Sequence, residues 1–446
     1  MGVEKHSTVM TRFMSACVNA ALVVTSVIVG TLFCELGLRM VGYTSPIKSP
    51  YAGMAPRFYY VADSVNGHDI AKDFAGGPFI FPEYIRAYGA PYTVSSNRLG
   101  CRDRSFDQQN GYVLLLGDSY TWGYVPLEET WGAILEQLIG IRVLKCGVGG
   151  YGTRHERHKL EAVVAKAGRP RLVVVGYVGN DLIDDYLYPE RTVIDGYMVP
   201  RFALADEKRG DRKEYSDEEL QARLRSVLEQ RPDGFTAAVK DVLANHSILY
   251  DRFRHSETFR RVADQLGLAE PAPSLVGLGV YRYITEYPWL KQAWQEHLAN
   301  LRQLKSAVEA VGASMLVVMI PNVAQVYEFL QDPDEHWREY RHNQLTQFFE
   351  REDIAFLDLL PEFQRYACRK LRPVLDAQED LYWPRDGHLN VKGNRLAGFL
   401  ISRVVLEQPF LELNDKNKRL LDINQVLNVE DRCGVSEAPN DRKLHR

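Results

Sequence analysis

A chain of 446 residues can hold one large domain or two ordinary ones. With 46% hydrophobic and 25% charged residues it is expected to bury a core, which excludes global disorder. A formal net charge of −4 offers no basic footprint, so no nucleic-acid partner is expected.

Residues 1–15 read as a short N-terminal tail carrying Lys5 and Arg12. The mostly apolar stretch Ala16–Cys34 follows. Its about 19 residues would span roughly 28 Å as a helix, close to a bilayer's hydrocarbon core. No small-x-small cleavage site follows, and Phe33 before Cys34 argues against a lipoprotein site. Residues 16–36 are therefore expected to form a single uncleaved transmembrane signal anchor. Lys5 and Arg12 before it nearly balance Arg39 and Lys48 after it, so charge alone does not orient it. Residues 37–94, rich in Pro, Gly and Tyr from residue 44, read as a connecting segment packed on the domain edge.

From residue 95 strand-like and helix-like patterns alternate, as in α/β folds. The apolar runs Tyr112–Leu116, Ile141–Leu144, Leu172–Tyr177, Met315–Ile320 and Ala355–Leu359 predict strands. Glu128–Leu138, His155–Ala167, Lys291–Val311, Trp337–Glu350 and Val391–Val405 predict helices, the last with Asn390 as N-cap. The pattern predicts a parallel sheet with helices on both faces. Residues 184–288 interrupt it as a mainly helical insertion on the side of the ligand crevice, with a capping box at Ser216-Asp217-Glu218-Glu219. It reads equally as a lid or acceptor platform and as a surface excursion. Residues 411–446 form a polar tail with one short helix near Lys418–Leu427. Cys146 ends a strand and reads as a small buried residue, while Cys101, Cys368 and Cys433 could include one disulfide.

The chemistry is carried by strand ends. Gly117-Asp118-Ser119 follows the first strand, Gly179-Asn180-Asp181 follows the third, and Asp386-Gly387-His388 precedes the last helix. A serine hydroxyl needs a base to become a nucleophile. His388 can take its proton and return it to a leaving group, with Asp386 orienting the ring. The Ser119 N–H and the Asn180 amide can serve an oxyanion. The bland alternatives are a turn serine, a surface histidine and a strand-end cap. Tyr120, Trp122 and Tyr124 either line an acyl or sugar pocket or belong to the core. Asp118 and Asp181 read as structural turn acids. His155-Glu156-Arg157-His158 lacks the i, i+4 histidine spacing of a zinc helix, and Asp181, Asp184 and Asp185 match no calcium loop. No metal or cofactor is expected.

Four blocks stand in order: GDSYTWG from Gly117, CGVGGYGT from Cys146, GYVGND from Gly176 and DGHLN from Asp386. In these blocks the chain resembles the SGNH (GDSL) hydrolase superfamily, over roughly Ser95–Glu190 and Trp289–Leu406. Most of that superfamily places the aspartate three residues before the histidine, where this chain has Arg385. The D-x-H spacing of Asp386 and His388 is similar to that of SGNH-like alginate O-acetyltransferases. The resemblance implies an α/β, three-layer flavodoxin-like SGNH sandwich as a catalytic domain over 95–410. It also implies an oxyanion hole from Ser119, Gly150 and Asn180, and an acyl-Ser119 intermediate formed from an acyl ester. Water would make the chain an esterase, and a carbohydrate hydroxyl an O-acyltransferase. The expected target is O-acetyl groups of cell-surface or secreted polysaccharide, with the domain on the periplasmic side of the inner membrane and a membrane partner supplying acyl groups. The competing classes are a non-catalytic polysaccharide-binding or assembly protein and a lipid-directed esterase; the charged insertion argues against the latter.

Overall fold

The computed structural model describes residues 55–79, 92–107, 111–206, 208–229, 287–327, 336–367, 380–383, 387–412 and 415–429, with helical residues between 18 and 40. The chain divides into two units. In the unit formed by Met1–Lys48 and Arg231–Ala272, the described residues are helical and expose Leu22, Val23, Leu32, Phe33 and Met40. Among the described residues no helix is long and apolar enough to cross a membrane. The expected anchor at 16–36 lies partly outside them, as do Cys17, Cys368 and Cys433.

The unit formed by Ser49–Gln230 and Pro273–Arg446 carries the α/β fold. Its strands are β1 (Tyr60–Asp63), β2 (Gly67–Ile70), β3 (Gly77–Pro78), β4 (Thr93–Val94), β5 (Val113–Gly117), β6 (Val143–Lys145) and β7 (Leu172–Tyr177), followed by β8 (Arg191–Ile194), β9 (Tyr197–Pro200), β10 (Phe202–Asp206), β11 (Asp211–Glu214), β12 (Ser314–Met319) and β13 (Ala355–Asp358). Its helices are α1 (Ser119–Trp122), α2 (Trp131–Ile139), α3 (Thr153–Ala167), α4 (Asp181–Tyr186), α5 (Asp217–Glu229), α6 (Pro288–Ala310), α7 (Val323–Val326), α8 (His336–Arg351), α9 (Leu360–Tyr366), α10 (Val391–Glu407) and α11 (Lys416–Val429). Five strands form one parallel sheet in the order β13-β12-β7-β5-β6. This is the flavodoxin-like order, and its switch point falls between β5 and β7, where such sheets open a ligand crevice.

Alternation along the strands builds a core on each face. Val113, Leu115, Val174 and Leu316 pack with Trp131 and Leu135 of α2 and Leu396 and Leu400 of α10. Leu114, Leu116, Val175 and Val317 pack with Leu160 of α3, Leu301 of α6 and Phe348 of α8. Each fully buried aliphatic side chain contributes about 1.5–3 kcal/mol. The two faces together explain why these strands read as continuous apolar runs rather than alternating ones.

Two sequence expectations are corrected. The insertion is not mainly helical over its described part: it opens with the antiparallel hairpins β8–β9 and β10–β11 before reaching α5. The physical reason is Asp195-Gly196, with φ of 51° and 81°, a two-residue turn whose twist suits a hairpin. The Ser216 capping box does form, with Glu219 N–H on Ser216 Oγ at 3.2 Å and Ser216 N–H on Glu219 Oε2 at 2.8 Å. Residues 230–286 of the expected insertion lie outside the described residues.

The second correction concerns Cys146, which is disulfide-bonded to Cys101. Asn97 Oδ1 accepts the N–H groups of Leu99 and Cys101, at 3.0 and 3.3 Å, and shapes the turn that carries Cys101. Asp103 then accepts the Lys145 N–H at 3.1 Å, which fixes this turn beside the end of β6. The bridge closes a sequence separation of 45 residues. Replacing both cysteines by serine is expected to lower unfolding stability by about 2–4 kcal/mol. Urea titrations of the two proteins check this, and an unchanged midpoint would contradict it.

Candidate active site

Ser119 is the first residue of α1, directly beyond β5. The turn into α1 depends on Gly117, whose φ is +145°. A Cβ there would lie 2.1 Å from Thr121 Oγ1 and 2.9 Å from the Gly176 carbonyl oxygen. Asp118 caps the helix by accepting the Tyr120 N–H at 2.8 Å. Its carboxyl is pushed up, first by burial, although hydrogen bonds from Asn180 and Tyr120 oppose the shift.

His388 comes from the loop before α10 and places Nε2 2.8 Å from Ser119 Oγ. Several contacts hold it there. Its carbonyl accepts the Trp383 N–H at 2.9 Å. Its ring stacks on Tyr124, with centroids 4.0 Å apart and planes 23° apart. Tyr120 flanks the ring at 4.9 Å and donates its hydroxyl to the Gly387 carbonyl at 2.8 Å. Asn390 caps α10 through the Gly393 N–H. Asp386, expected to orient the imidazole, lies outside the described residues.

The expected oxyanion donors differ in availability. Neither the Ser119 N–H nor the Gly150 N–H donates to another described residue. Gly150, at φ +77°, belongs to the turn after β6. Its neighbour Gly149 is already engaged: His68 Nε2 lies 2.9 Å from the Gly149 carbonyl, and the Gly149 backbone is hydrogen-bonded to Tyr60. Burial drives His68 down to about 4, so its neutral ring donates to that carbonyl. Asn180 is in place between β7 and α4 but commits its amide elsewhere. Nδ2 donates to Asp118 Oδ2 at 3.0 Å and to Asp184 Oδ2 at 2.8 Å. Asn180 is thus a brace in this state, and one N–H must turn before it can face an oxyanion.

A group of buried carboxyls lies behind the site. Asp185 is held below the usual range against its burial, by His297 at 2.7 Å, by Thr153 and by the Arg154 N–H. Asp181 and Asp184 are pushed well up, by burial first and then by neighbouring carboxylates. Glu156 is fully buried with neither oxygen hydrogen-bonded, and burial followed by Asp185 and Asp118 drives it well up. In the metal-like His155-Glu156-Arg157-His158 run, His155 accepts the Gly152 N–H at 3.1 Å and stacks on Tyr151. Among the described residues no cluster suits a metal ion.

Of the three aromatics weighed as pocket residues, Tyr120 and Tyr124 lie beside His388. Trp122 is a packing residue instead: it is buried, donates to Tyr59 Oη at 3.0 Å, and lies under the Arg102 guanidinium. Sequence reading missed His68 and Arg191. The first lies in an unpatterned segment. Arg191 lies four residues before the Asp195-Gly196 turn, which was the signal for its strand.

No protein-family profile and no curated protein matches the chain. Among solved structures it is similar to a protein from Desulfitobacterium hafniense assigned to the G-D-S-L lipolytic family, at 13% identity and a TM-score of 0.30, over 66% of this chain and 99% of that one. It is similar also to the acetyl xylan esterase AlAXEase, at 10% identity and a TM-score of 0.34, over 66% of this chain and 99% of that one. For a single-site mutant of the acetyl-xylooligosaccharide esterase Axe2 from Geobacillus, the values are 12%, 0.31, 67% and 94%. These likenesses are too loose to transfer an activity or a substrate.

Glu156 supplies a pH test of the buried carboxyls. A carboxyl whose folded-state pKa is raised holds its proton more tightly when folded. Its contribution is complete below the ordinary value of 4.5 and is lost as pH rises through the folded value. Glu156→Gln is therefore expected to leave stability near pH 4.5 little changed and to raise it at pH 8 relative to wild type. Unfolding free energies at both pH values check this; an unaltered pH slope would contradict it.

Proposed function

We propose that this chain is an SGNH-type serine esterase or O-acyltransferase that works through an acyl-Ser119 intermediate. The observation that carries the reading is the 2.8 Å approach of His388 Nε2 to Ser119 Oγ. It occurs beside two backbone N–H groups that have no partner among the described residues. In the proposed cycle His388 accepts the Ser119 hydroxyl proton as Oγ attacks the ester carbonyl. The Ser119 and Gly150 N–H groups receive the developing oxyanion. His388 then returns the proton to the departing alcohol, and the ester C–O bond breaks to leave acyl-Ser119. Water or a carbohydrate hydroxyl, deprotonated by the same imidazole, then attacks the acyl carbonyl; the Ser119 Oγ–acyl bond breaks and His388 returns the proton to Oγ. Asp386 is assigned the orienting role by its place in the DGHLN block.

The finer reading is an enzyme of O-acetyl groups on cell-surface or secreted polysaccharide. It is anchored in the inner membrane by residues 16–36, faces the periplasm, and draws acyl groups from a membrane partner when it acts as a transferase. Support comes from the D-x-H spacing and the apolar stretch Ala16–Cys34. The Cys101–Cys146 bridge adds to it, because disulfides persist in oxidising compartments.

Turnover of 4-nitrophenyl acetate by wild type and Ser119→Ala, with fluorophosphonate labelling, tests the proposal. The mutant is expected to lose labelling and at least ~10⁴-fold in kcat. Asp386→Ala is expected to lose less than Ser119→Ala or His388→Ala. Adding an oligosaccharide acceptor separates the two outcomes of the acyl-enzyme, because acetylated product marks a transferase. Folded wild type that neither labels nor turns over would overturn the reading.

A further inference from the structure

Arg191 opens β8 within the insertion, and its side chain lies over the turn that offers the Gly150 N–H. A Cβ on Gly150 would stand 2.3 Å from Arg191 Nε and 3.1 Å from Cζ. A Cβ on the adjacent Gly149 would stand 3.9 Å from Ser119 Cβ. The guanidinium and the nucleophile therefore flank two consecutive glycines. Arg191 Nε donates to Glu190 Oε2 at 3.2 Å, and Glu190 is itself buried. The two terminal nitrogens make no hydrogen bond to any described residue, and the side chain is 28% exposed. Glu190, the nearest charge, keeps the guanidinium protonated, with Asp184 and Tyr124 also in range.

The free edge of this guanidinium is a fork of parallel N–H donors, and such a fork matches the two oxygens of a carboxylate. Glu190 already occupies the Nε edge, so the site carries one negative charge before any ligand arrives. A single carboxylate fits that balance better than a dianionic phosphate does. Burial, the Glu190 charge and the hydrogen bond shared with Glu190 all push Asp184 towards its neutral form.

We infer that Arg191 forms a carboxylate subsite beside Ser119, so that the preferred ester carries a negative charge close to the scissile bond. This rests on the acyl-Ser119 reading above and narrows its substrate class. The carboxylate can belong to the acyl group, as in a dicarboxylic half-ester, or to the alcohol, as in an acetylated sugar acid.

The test compares kcat/KM for ester pairs that differ only in that charge. Mono-4-nitrophenyl adipate against its methyl ester probes the acyl side. Acetylated methyl glucuronoside against its methyl ester probes the alcohol side. Wild type is expected to favour the carboxylate in one pair by about 10- to 100-fold, the range for a charge-assisted hydrogen bond. In Arg191→Gln that ratio is expected to fall towards one. Arg191→Lys, which keeps the charge but not the fork, should retain only part of it. If the Arg191 variants do not fold, wild type alone decides: glucuronate should compete with neutral substrate more strongly than glucuronamide, and the difference should shrink with added salt. Wild type that labels with fluorophosphonate yet treats both members of each pair alike overturns the subsite and leaves the esterase standing. So does an Arg191→Gln protein with an unchanged ratio. Absence of labelling overturns the esterase reading, and the inference falls with it.

Discussion

Gly117 and Gly176 face each other as partners at the adjacent ends of β5 and β7. On either one a Cβ would lie 2.1 Å from Thr121 Oγ1. The missing side chains are what allow α1 to fold back over the sheet within a few residues of leaving it. That backfold fixes where Ser119 stands. It also lets the chain after β7 present Asn180 on the same side, because the two strands end side by side at the switch point. The turn after β6 brings the Gly150 N–H to the same edge, with Val148 N–H bonded to the Gly117 carbonyl at 2.9 Å. His388 alone arrives from a distant part of the sequence, and its place depends on the Tyr124 and Tyr120 rings that follow the nucleophile.

The second constraint is electrostatic. Asp118, Glu156, Asp181, Asp184 and Asp185 are all buried near the site. Two like charges about 4 Å apart repel by roughly 4 kcal/mol at an effective dielectric of 20, so they are not all ionised together. Environment sorts them. His297, Thr153 and a backbone N–H favour the charged form of Asp185, whereas burial pushes Glu156 and Asp181 towards their neutral forms. This bears on the proposed chemistry through Asn180, whose amide spans Asp118 and Asp184. A hydrogen bond to an ionised partner contributes about 1.5–3 kcal/mol, and to a neutral one about 0.5–1.5. Raising both carboxyls towards their neutral forms therefore lowers the cost of turning one Asn180 N–H to an oxyanion.

The strands and helices around the sheet were legible because burial on both faces leaves long apolar runs. Every predicted strand from Tyr112 to Leu359 overlaps an observed one within two residues at each end. Ser119 and Asn180 were visible because strand ends in such sheets are where chemistry gathers. The approach of His388 to Ser119 could not be read from spacing, since 269 residues separate them. The hairpins of the insertion were missed for a different reason. The helical reading rested on the capping box at Ser216, and the turn signal of Asp195-Gly196 was passed over. Cys146 likewise read as a packing residue because its partner is brought to it by an Asn97-centred turn with no hydrophobic period.

The β8–β9 hairpin carries the guanidinium that flanks the site. Strands β8 and β9 are pinned from outside by the β1–β2 hairpin. Phe58 N–H bonds to the Gly196 carbonyl at 2.8 Å, and Gly67 packs so tightly on β8 that a Cβ would lie 2.1 Å from the Arg191 carbonyl oxygen. The backbone beneath the guanidinium is therefore ordered before any ligand arrives, and Glu190 fixes its Nε edge. Ordering a long side chain on binding costs about 0.5–1.5 kcal/mol. Here much of that ordering is done on folding, so selection rests on the direction of a held fork rather than on diffuse positive charge. Nucleophile and backbone donors belong to the sheet and its first turns, the base to the loop before α10, and Arg191 to the insertion. Under the proposed chemistry the sheet edge makes the acyl-enzyme, and the hairpin determines which ester reaches it.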